Sequence, residues 1–154
     1  MMKYFRSLKS INPPFFLLLS LLLTLILKWI IPGANLISPP WNLLGLLPLG
    51  LGIAINILTD RKFHNWQTTV KPEELPSCLI TDGVFRYSRN PMYLGMVHIL
   101  FGFAILLNSW VSFLVLLGFT AFIHYCFICR EEKNLKEQFG EDWLAYQQKV
   151  PRWI

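Results

Sequence analysis

The sequence predicts an all-α fold of the membrane class: a polytopic bundle of four transmembrane helices followed by an amphipathic C-terminal helix. Three observations lead there. Hydrophobic residues make up 54% of the 154-residue chain and charged residues only 15%, against roughly 25% charged in an average soluble domain. Too little polar surface remains to cover a water-soluble globule. The apolar residues also fall into four runs near the length that crosses a hydrocarbon core of about 30 Å. Finally, the charges gather in three clusters between those runs. The length fits one domain, 1–154, without a second independent unit.

The first run, 15–31, follows Lys3, Arg6, Lys9 and Pro13-Pro14, and only Lys28 interrupts it. At about 1.5 Å per residue it falls slightly short of the core, so the long stem of Lys28 is expected to reach the headgroups at its far end. A basic start before an apolar run also suits a secretory signal. No small-residue cleavage site follows in Ile31-Pro32-Gly33-Ala34-Asn35, so a retained span is the expectation. An uncharged connection, 32–40, leads to the second run, 41–59. There Gly45, Gly50 and Gly52 favour close helix approach, and Pro48 predicts a kink.

Segment 60–90 is the long polar one. The third run, 91–107, and the fourth, 109–129, meet at Asn108-Ser109, a connection so short that it predicts an antiparallel hairpin. In the tail, Leu135, Phe139, Trp143, Tyr146 and Val150 recur at helical spacing with Lys133, Glu137, Glu141 and Gln148 off that stripe. Such a helix can lie in the interface or fold back on the bundle, and Gly140 weakens it locally.

Topology follows from the basic residues. The N-terminus carries three, the 60–90 segment five and the tail five, whereas 32–40 and 108–109 carry none. Excess Lys and Arg mark the cytoplasmic side, which predicts a multi-pass protein with both termini and the long loop cytoplasmic. With no organelle signal in view, a prokaryotic inner membrane is the expected location. The net charge of +5 sits beside apolar runs, as at an anionic membrane face. No basic stripe with interleaved aromatics points to nucleic acid, and no protein partner is indicated. Cys78, Cys126 and Cys129 imply no disulfide framework. Cys126-x-x-Cys129 has no second thiol pair to complete a zinc site, so packing is expected there.

This topology brings two polar clusters to one water boundary. The third helix leaves it just after Asn90 and the fourth returns just before Arg130, which predicts a pocket with a polar mouth and apolar walls. Asn90-Pro91 reads as an N-cap and first helical residue. The same helix N-terminus attracts carboxylates. Glu131 and Glu132, read as ending the fourth helix, oppose its macrodipole while Arg130 partly offsets them. Arg86, Arg89 and Arg130 are candidates for orienting an anionic head group. His98 and His124 lie within spans and are expected to make neutral interhelical hydrogen bonds, while His64 and Trp66 are expected at the interface. Walker and dinucleotide glycine fingerprints do not occur.

Gly83-Val84-Phe85-Arg86-Tyr87-Ser88-Arg89-Asn90-Pro91-Met92-Tyr93-Leu94-Gly95 resembles the G-[PV]-Y-x-x-x-R-H-P-x-Y-x-G signature of the isoprenylcysteine carboxyl methyltransferase and phospholipid N-methyltransferase superfamily. Glu131-Glu132-Lys133-Asn134-Leu135, with Phe139-Gly140-Glu141-Asp142-Trp143, Tyr146 and Val150-Pro151-Arg152, is similar to its C-terminal motif. The resemblance covers about 77–154 and leaves the first two runs matched only as generic helices.

The resemblance implies a membrane methyltransferase that uses S-adenosylmethionine, with the cofactor between the last helices and the C-terminal segment. By position it assigns cofactor contacts to Ser77, Cys78, Leu79, Ile80, Phe85, Asn90, Pro91, Met92, Tyr93 and Glu131. Glu131 would accept from a polar cofactor group, Phe85 and Tyr93 would face the sulfonium, and Leu79 and Ile80 would bound the adenine. A lipid or lipid-like acceptor, isoprenoid or phospholipid, would enter from the bilayer, and no metal is required. Asn90 stands where the signature has His and cannot take over a proton-transfer role. Phe85 stands where it has Tyr. Phe127 occupies the place, one turn before Glu131, of an arginine that helps hold substrate in the prenylcysteine enzymes, which argues against a prenylcysteine carboxylate. The acceptor atom, carboxylate oxygen, amine nitrogen or thiolate sulfur, stays open. Two other readings compete: a membrane oxidoreductase like the sterol reductases, using a nicotinamide cofactor, and an inactive scaffold of the same fold.

Overall fold

Pro13 and Pro14 open the first helix, where proline's missing N–H costs nothing because the first amides of a helix have no intrahelical partner anyway. The computed structural model describes residues 12–31, 36–37, 39–66 and 77–154. Lys3, Arg6, Lys9, Lys71 and most of the 32–40 connection, which bear on the topology, lie outside the described residues. Helix α1 runs Pro13–Ile30, with Thr24 turned inward to donate to the Ser20 carbonyl at 2.5 Å.

A 3₁₀ turn, Trp41–Gly45, leads directly into α2, Leu46–Asn65. The helix therefore outlasts the apolar run and carries Asp60, Arg61 and Lys62 on its last turns. Pro48 falls in its first turn, not in its middle. Proline has no N–H to donate and is tolerated in a first helical turn.

Helix α3, Pro91–Leu107, packs along α2 on a seam of glycines. A Cβ on Gly45 would stand 2.5 Å from the Gly102 carbonyl oxygen, and one on Gly52 would stand 2.5 Å from that of Gly95. Seven residues separate the glycines on each helix, so two antiparallel backbones touch at two successive contacts. Apolar surface gains little by leaving lipid for protein, and close backbone packing at small residues supplies much of the attraction instead. Gly50 takes no part: nothing lies within 4 Å of a Cβ placed there.

The far end of α3 is tied down by hydrogen bonds to three other segments. Lys28 donates to the Leu107 carbonyl and Asn42 to that of Leu106 at 3.2 Å. Asn108 adopts the left-handed conformation, φ 53°, and its amide exchanges two hydrogen bonds with the Ile37 backbone at 2.8 and 2.5 Å. These contacts satisfy carbonyls that a helix C-terminus leaves open. Lys28 itself is exposed at this end of the bundle.

Helix α4, Trp110–Ile123, returns antiparallel to α3. It passes through one π-helical turn, His124–Ile128, into α5, Cys129–Lys149. The α1 ring of Phe16 meets Phe122 at 4.8 Å and Phe127 at 5.7 Å, so α1 starts where α4 ends. The four helices thus alternate in direction; α1, α3 and α4 share a core of Tyr93, Met96, Leu100, Phe119, Ile123 and Ile128, and α2 packs on α3.

The described residues are all helical or irregular, with no strand among them. By length and composition three helices suffice to cross a membrane: Pro13–Ile30, Trp41–Asn65 and the rod beginning at Trp110. Helix α3, with 17 residues, is apolar but shorter, and it is the most enclosed of the four. The chain is an integral membrane type by these measures. The tail helix does not remain regular: Gly140, at φ 49° and ψ −118°, breaks it. Beyond the break Trp143, Tyr146 and Val150 are buried with Leu79, Leu135 and Phe139. The tail's apolar stripe therefore folds back on the bundle.

Candidate functional site

The near end of the bundle is assembled from the strand-like approach to α3, the start of α5 and the last residues of the chain. Gly83 opens this approach at φ +62°, a backbone region that only glycine enters without strain. A side chain there would also meet the stem of Lys62 at 2.7 Å. Lys62 bonds Asp82 at 2.5 Å, holding that carboxyl below its usual range. The short 3₁₀ turn Gly83–Arg86 then buries Phe85 edge-on against Phe63 of α2, ring centres 5.6 Å apart. Tyr146 of α5 donates to the Phe85 carbonyl at 2.7 Å, and burial of that phenol raises its pKa. Phe85 is thereby clamped between α2 and the tail.

Asn90 precedes α3, but its side chain makes no capping bond. Asn90 and Pro91 hold the N-cap and first helical positions as expected, with Leu94 N–H donating to the Asn90 carbonyl at 3.0 Å. The side-chain amide nitrogen donates instead to Glu132 Oε1 and to the Arg152 carbonyl, both at 3.2 Å. A cap would use the amide oxygen as acceptor, whereas these bonds use the amide nitrogen as donor and fix the rotation of the side chain. Proline at the first helical position also removes one of the amides a cap would serve.

One turn along α3, the Tyr93 hydroxyl donates to Glu131 Oε1 at 2.5 Å. This bond joins the two motifs that the sequence brought to one boundary. Glu131 lies past the apolar stretch that ends at Cys129. Desolvation of its carboxyl end pushes its pKa up to about 7, with the Tyr93 bond and the Arg130 charge opposing. Neither glutamate ends a helix, contrary to the expectation: the chain continues helically and both fall in the first turn of α5. Their charge there favours the helix dipole instead of opposing it.

Glu132 is the buried hub of the site, 6% exposed. Arg152 grips it with Nε at 3.1 Å from both carboxylate oxygens and Nη2 at 2.6 Å from Oε2. Such a two-pronged guanidinium–carboxylate pair is geometrically specific as well as strong. That bonding raises the Arg152 pKa further. Arg89 Nη1 stands 3.6 Å from Glu132 Oε1, its guanidinium lies 5.6 Å over the Trp143 ring, and its Nε and Nη1 are buried without hydrogen-bond partners. The tail is strapped down by main chain too, with Arg89 N–H donating to Pro151 at 3.0 Å and Ser88 Oγ to Arg152 at 3.1 Å.

The residues assigned by resemblance do not all converge. Asn90, Pro91 and Tyr93 are buried and Met92 is half-buried at the head of α3, facing the first turn of α5 where Glu131 stands. Ile80 and Phe85 are buried nearby, whereas Leu79 is half-buried against the Trp143 cluster, Cys78 is a half-buried free thiol and Ser77 is exposed. Among the orienting candidates, Arg89 is engaged internally and Arg86 and Arg130 are exposed. His98 accepts or donates within its own helix, to the Leu94 carbonyl at 2.8 Å, and not between helices. His124 lies 3.4 Å from Arg152 and stacks on Trp153. Cys126 and Cys129 are free, and His64 and Trp66 are exposed. Glu132, Arg152, Trp143 and Ser88 were given no role by the sequence reading. The available signal was the second glutamate of the pair and the Val150-Pro151-Arg152 ending, both quoted but left without a partner.

The family model for phospholipid methyltransferase matches residues 41–142, which takes in α2, α3, α4 and most of α5. The chain belongs to the phospholipid methyltransferase family. An uncharacterized protein of Haemophilus influenzae is 35% identical over 63 residues, 41% of this chain and all of that protein. The protein-S-isoprenylcysteine O-methyltransferase of Schizosaccharomyces pombe is 35% identical over 79 residues, 49% of this chain and 32% of that enzyme. The chain thus spans about a third of the curated enzyme it matches. No solved structure matches it. Family membership supports methyltransferase activity and agrees with the superfamily signature at Gly83–Gly95.

Proposed function

We propose that this family member is an integral membrane methyltransferase that uses S-adenosylmethionine to methylate a lipid or lipid-like acceptor at the cytoplasmic face. The observation that carries the reading is the 2.5 Å bond from Tyr93 to Glu131, which closes the two halves of the superfamily motif on each other across 38 residues of sequence. The residues present fit the cofactor's chemistry. Glu131 offers oxygen acceptors to hydroxyl or ammonium groups, and Ile80, Phe85 and Met92 give apolar contact. The partnerless, buried Nε and Nη1 of Arg89 suit a carboxylate. The cofactor, when bound, supplies an activated methyl group, while the protein supplies alignment and exclusion of water.

All four helices are taken to cross the bilayer, α3 included. Its 17 residues span about 25 Å, but its ends lie level with those of α1 and α2, as the Lys28–Leu107 and Phe63–Phe85 contacts show. Enclosure by α1, α2 and α4 spares a short helix most of the lipid mismatch. Basic residues at the end that holds the site support a cytoplasmic orientation, and an acceptor with an apolar chain would reach it laterally from the bilayer.

The test is binding and transfer with labelled S-adenosylmethionine on the full chain in nanodiscs. Saturable binding, weakened by Glu131→Gln, and transfer of label to a membrane lipid extract are expected. Reduced nicotinamide binding in place of S-adenosylmethionine would favour the reductase-like alternative, binding without transfer the inactive scaffold. Unchanged affinity in Glu131→Gln would remove Glu131 from the cofactor site.

A further inference from the structure

Asn90 has one side-chain amide and two very different hydrogen-bonding ends. Its Nδ2 carries two hydrogens, and two acceptors are in reach: Glu132 Oε1 and the Arg152 carbonyl oxygen, each at 3.2 Å. Both hydrogens are therefore used. The amide orientation is dictated by these neighbours, because a flipped amide would set Oδ1 against a carboxylate oxygen and a carbonyl oxygen, with no proton between them. Oδ1 accepts no hydrogen bond among the described residues, in a residue 8% exposed.

Neither acceptor belongs to the α3 segment. Glu132 is fixed in place by the two-pronged grip of Arg152, the third-last residue of the chain. The Arg152 carbonyl is fixed in turn by Ser88 Oγ at 3.1 Å, which also accepts from the Asn90 backbone N–H at 3.2 Å. The neighbouring Tyr93–Glu131 pair shows the same polarity. Its Tyr93 hydroxyl hydrogen is likewise spent inside the protein, on Glu131 Oε1.

We infer that Glu132 and Arg152 are positioning residues that lock the Asn90 amide with both N–H groups turned into the protein, so that Asn90 offers a bound ligand a hydrogen-bond acceptor only and selects a head group bearing an O–H or N–H donor. Asn90 is on this view a specificity residue: it does no proton transfer, and it discriminates by presenting a fixed oxygen. The inference rests on the ligand binding at the site proposed above, but its test measures head-group recognition directly and needs neither cofactor nor turnover.

The probes are two neutral amphiphiles with the same ten-carbon chain, one ending in a primary alcohol and the other in a methyl ether. Both have an acceptor oxygen and only the alcohol can donate. Binding to the full chain in phosphatidylcholine nanodiscs is measured by calorimetry, corrected for partitioning into protein-free discs. The wild-type protein is expected to prefer the alcohol by about fivefold, the worth of one ordinary hydrogen bond. In Glu132→Gln the new amide can donate to Asn90, the Asn90 amide can turn, and the ratio should fall towards one. Arg152→Lys keeps the charge on Glu132 and the backbone carbonyl, and should retain the preference.

A strap that merely held the tail would weaken both probes together and leave the ratio unchanged, so an unchanged ratio in Glu132→Gln overturns the positioning role. A wild-type protein that binds the ether as well as the alcohol overturns the inference whether or not the variant folds. Loss of S-adenosylmethionine binding with the alcohol preference intact would instead count against the methyltransferase reading alone.

Discussion

Removing the Arg152 side chain tests the tail strap most sharply. Arg152→Ala takes away three close contacts to Glu132, at 3.1, 3.1 and 2.6 Å, and leaves a carboxylate whose side chain is 7% exposed. Breaking a buried ion pair by removing one partner costs about 3–5 kcal/mol, chiefly because the survivor stays charged and poorly solvated. Two features bring this case to the lower end. Asn90 still donates to Glu132 and Arg89 stands 3.6 Å away, and the Arg152 side chain is itself 33% exposed, so water screens part of its charge. The expected loss is about 3 kcal/mol, or about 6–12 °C in thermal midpoint for a chain of this size. The assay is thermal denaturation in nanodiscs across a double-mutant cycle with Glu132→Gln, which removes the stranded charge. Most of the Arg152→Ala loss should vanish in that background, a coupling of about 2 kcal/mol. A single-variant loss below about 0.5 kcal/mol, the size of an ordinary surface change, would refute the reasoning, since the carboxylate would then be solvated without its arginine.

The glycine seam gives a paired prediction. A Cβ on Gly52 meets the Gly95 carbonyl oxygen at 2.5 Å and the Ile99 nitrogen at 2.7 Å, both backbone atoms that cannot swing aside, so Gly52→Ala should cost about 2 kcal/mol or more through displacement of α2 from α3. Gly50→Ala, with open space around it, should be neutral or stabilising by up to about 1 kcal/mol, and equal effects at the two positions in thermal denaturation would contradict the seam. Glu131 predicts a pH dependence of defined sign. Its folded pKa, about 7, lies above its ordinary value of 4.5, so the folded form holds its proton longer than the unfolded form. Its contribution is complete below about pH 4.5 and is lost as pH rises to about 7, an effect of about 3 kcal/mol. Denaturation midpoints should fall over that window more steeply for the wild-type chain than for Glu131→Gln, and parallel curves would place the Glu131 carboxyl in water.

Much of the architecture was legible because its causes are local. Whether a stretch such as 15–31 or 109–129 favours hydrocarbon over water is a property of its own side chains, and the turn at Asn108-Ser109 is too short for anything but a hairpin. Alternating helix direction then followed, and with it the meeting of the Asn90–Tyr93 and Glu131 segments that the Tyr93–Glu131 bond realises. The motif at Gly83–Gly95 told which family those segments belong to.

What needed the tertiary structure was everything set by register and by competition for one hydrogen-bonding group. Gly45 and Gly52 meet glycines on α3 while Gly50 meets nothing, because helix rotation decides which face touches. Pro48 landed in a first turn because a 3₁₀ segment moved the helix start. Asn90 holds the local N-cap position, but its side-chain orientation is set by Glu132 and the Arg152 carbonyl, partners 42 and 62 residues away. A helix running on past Cys129, broken at Gly140 and strapped back by Arg152, turned an exposed-looking glutamate into the best-buried charge of the site. Side-chain preferences act along the chain. A buried carboxylate is satisfied only by what three-dimensional packing carries to it.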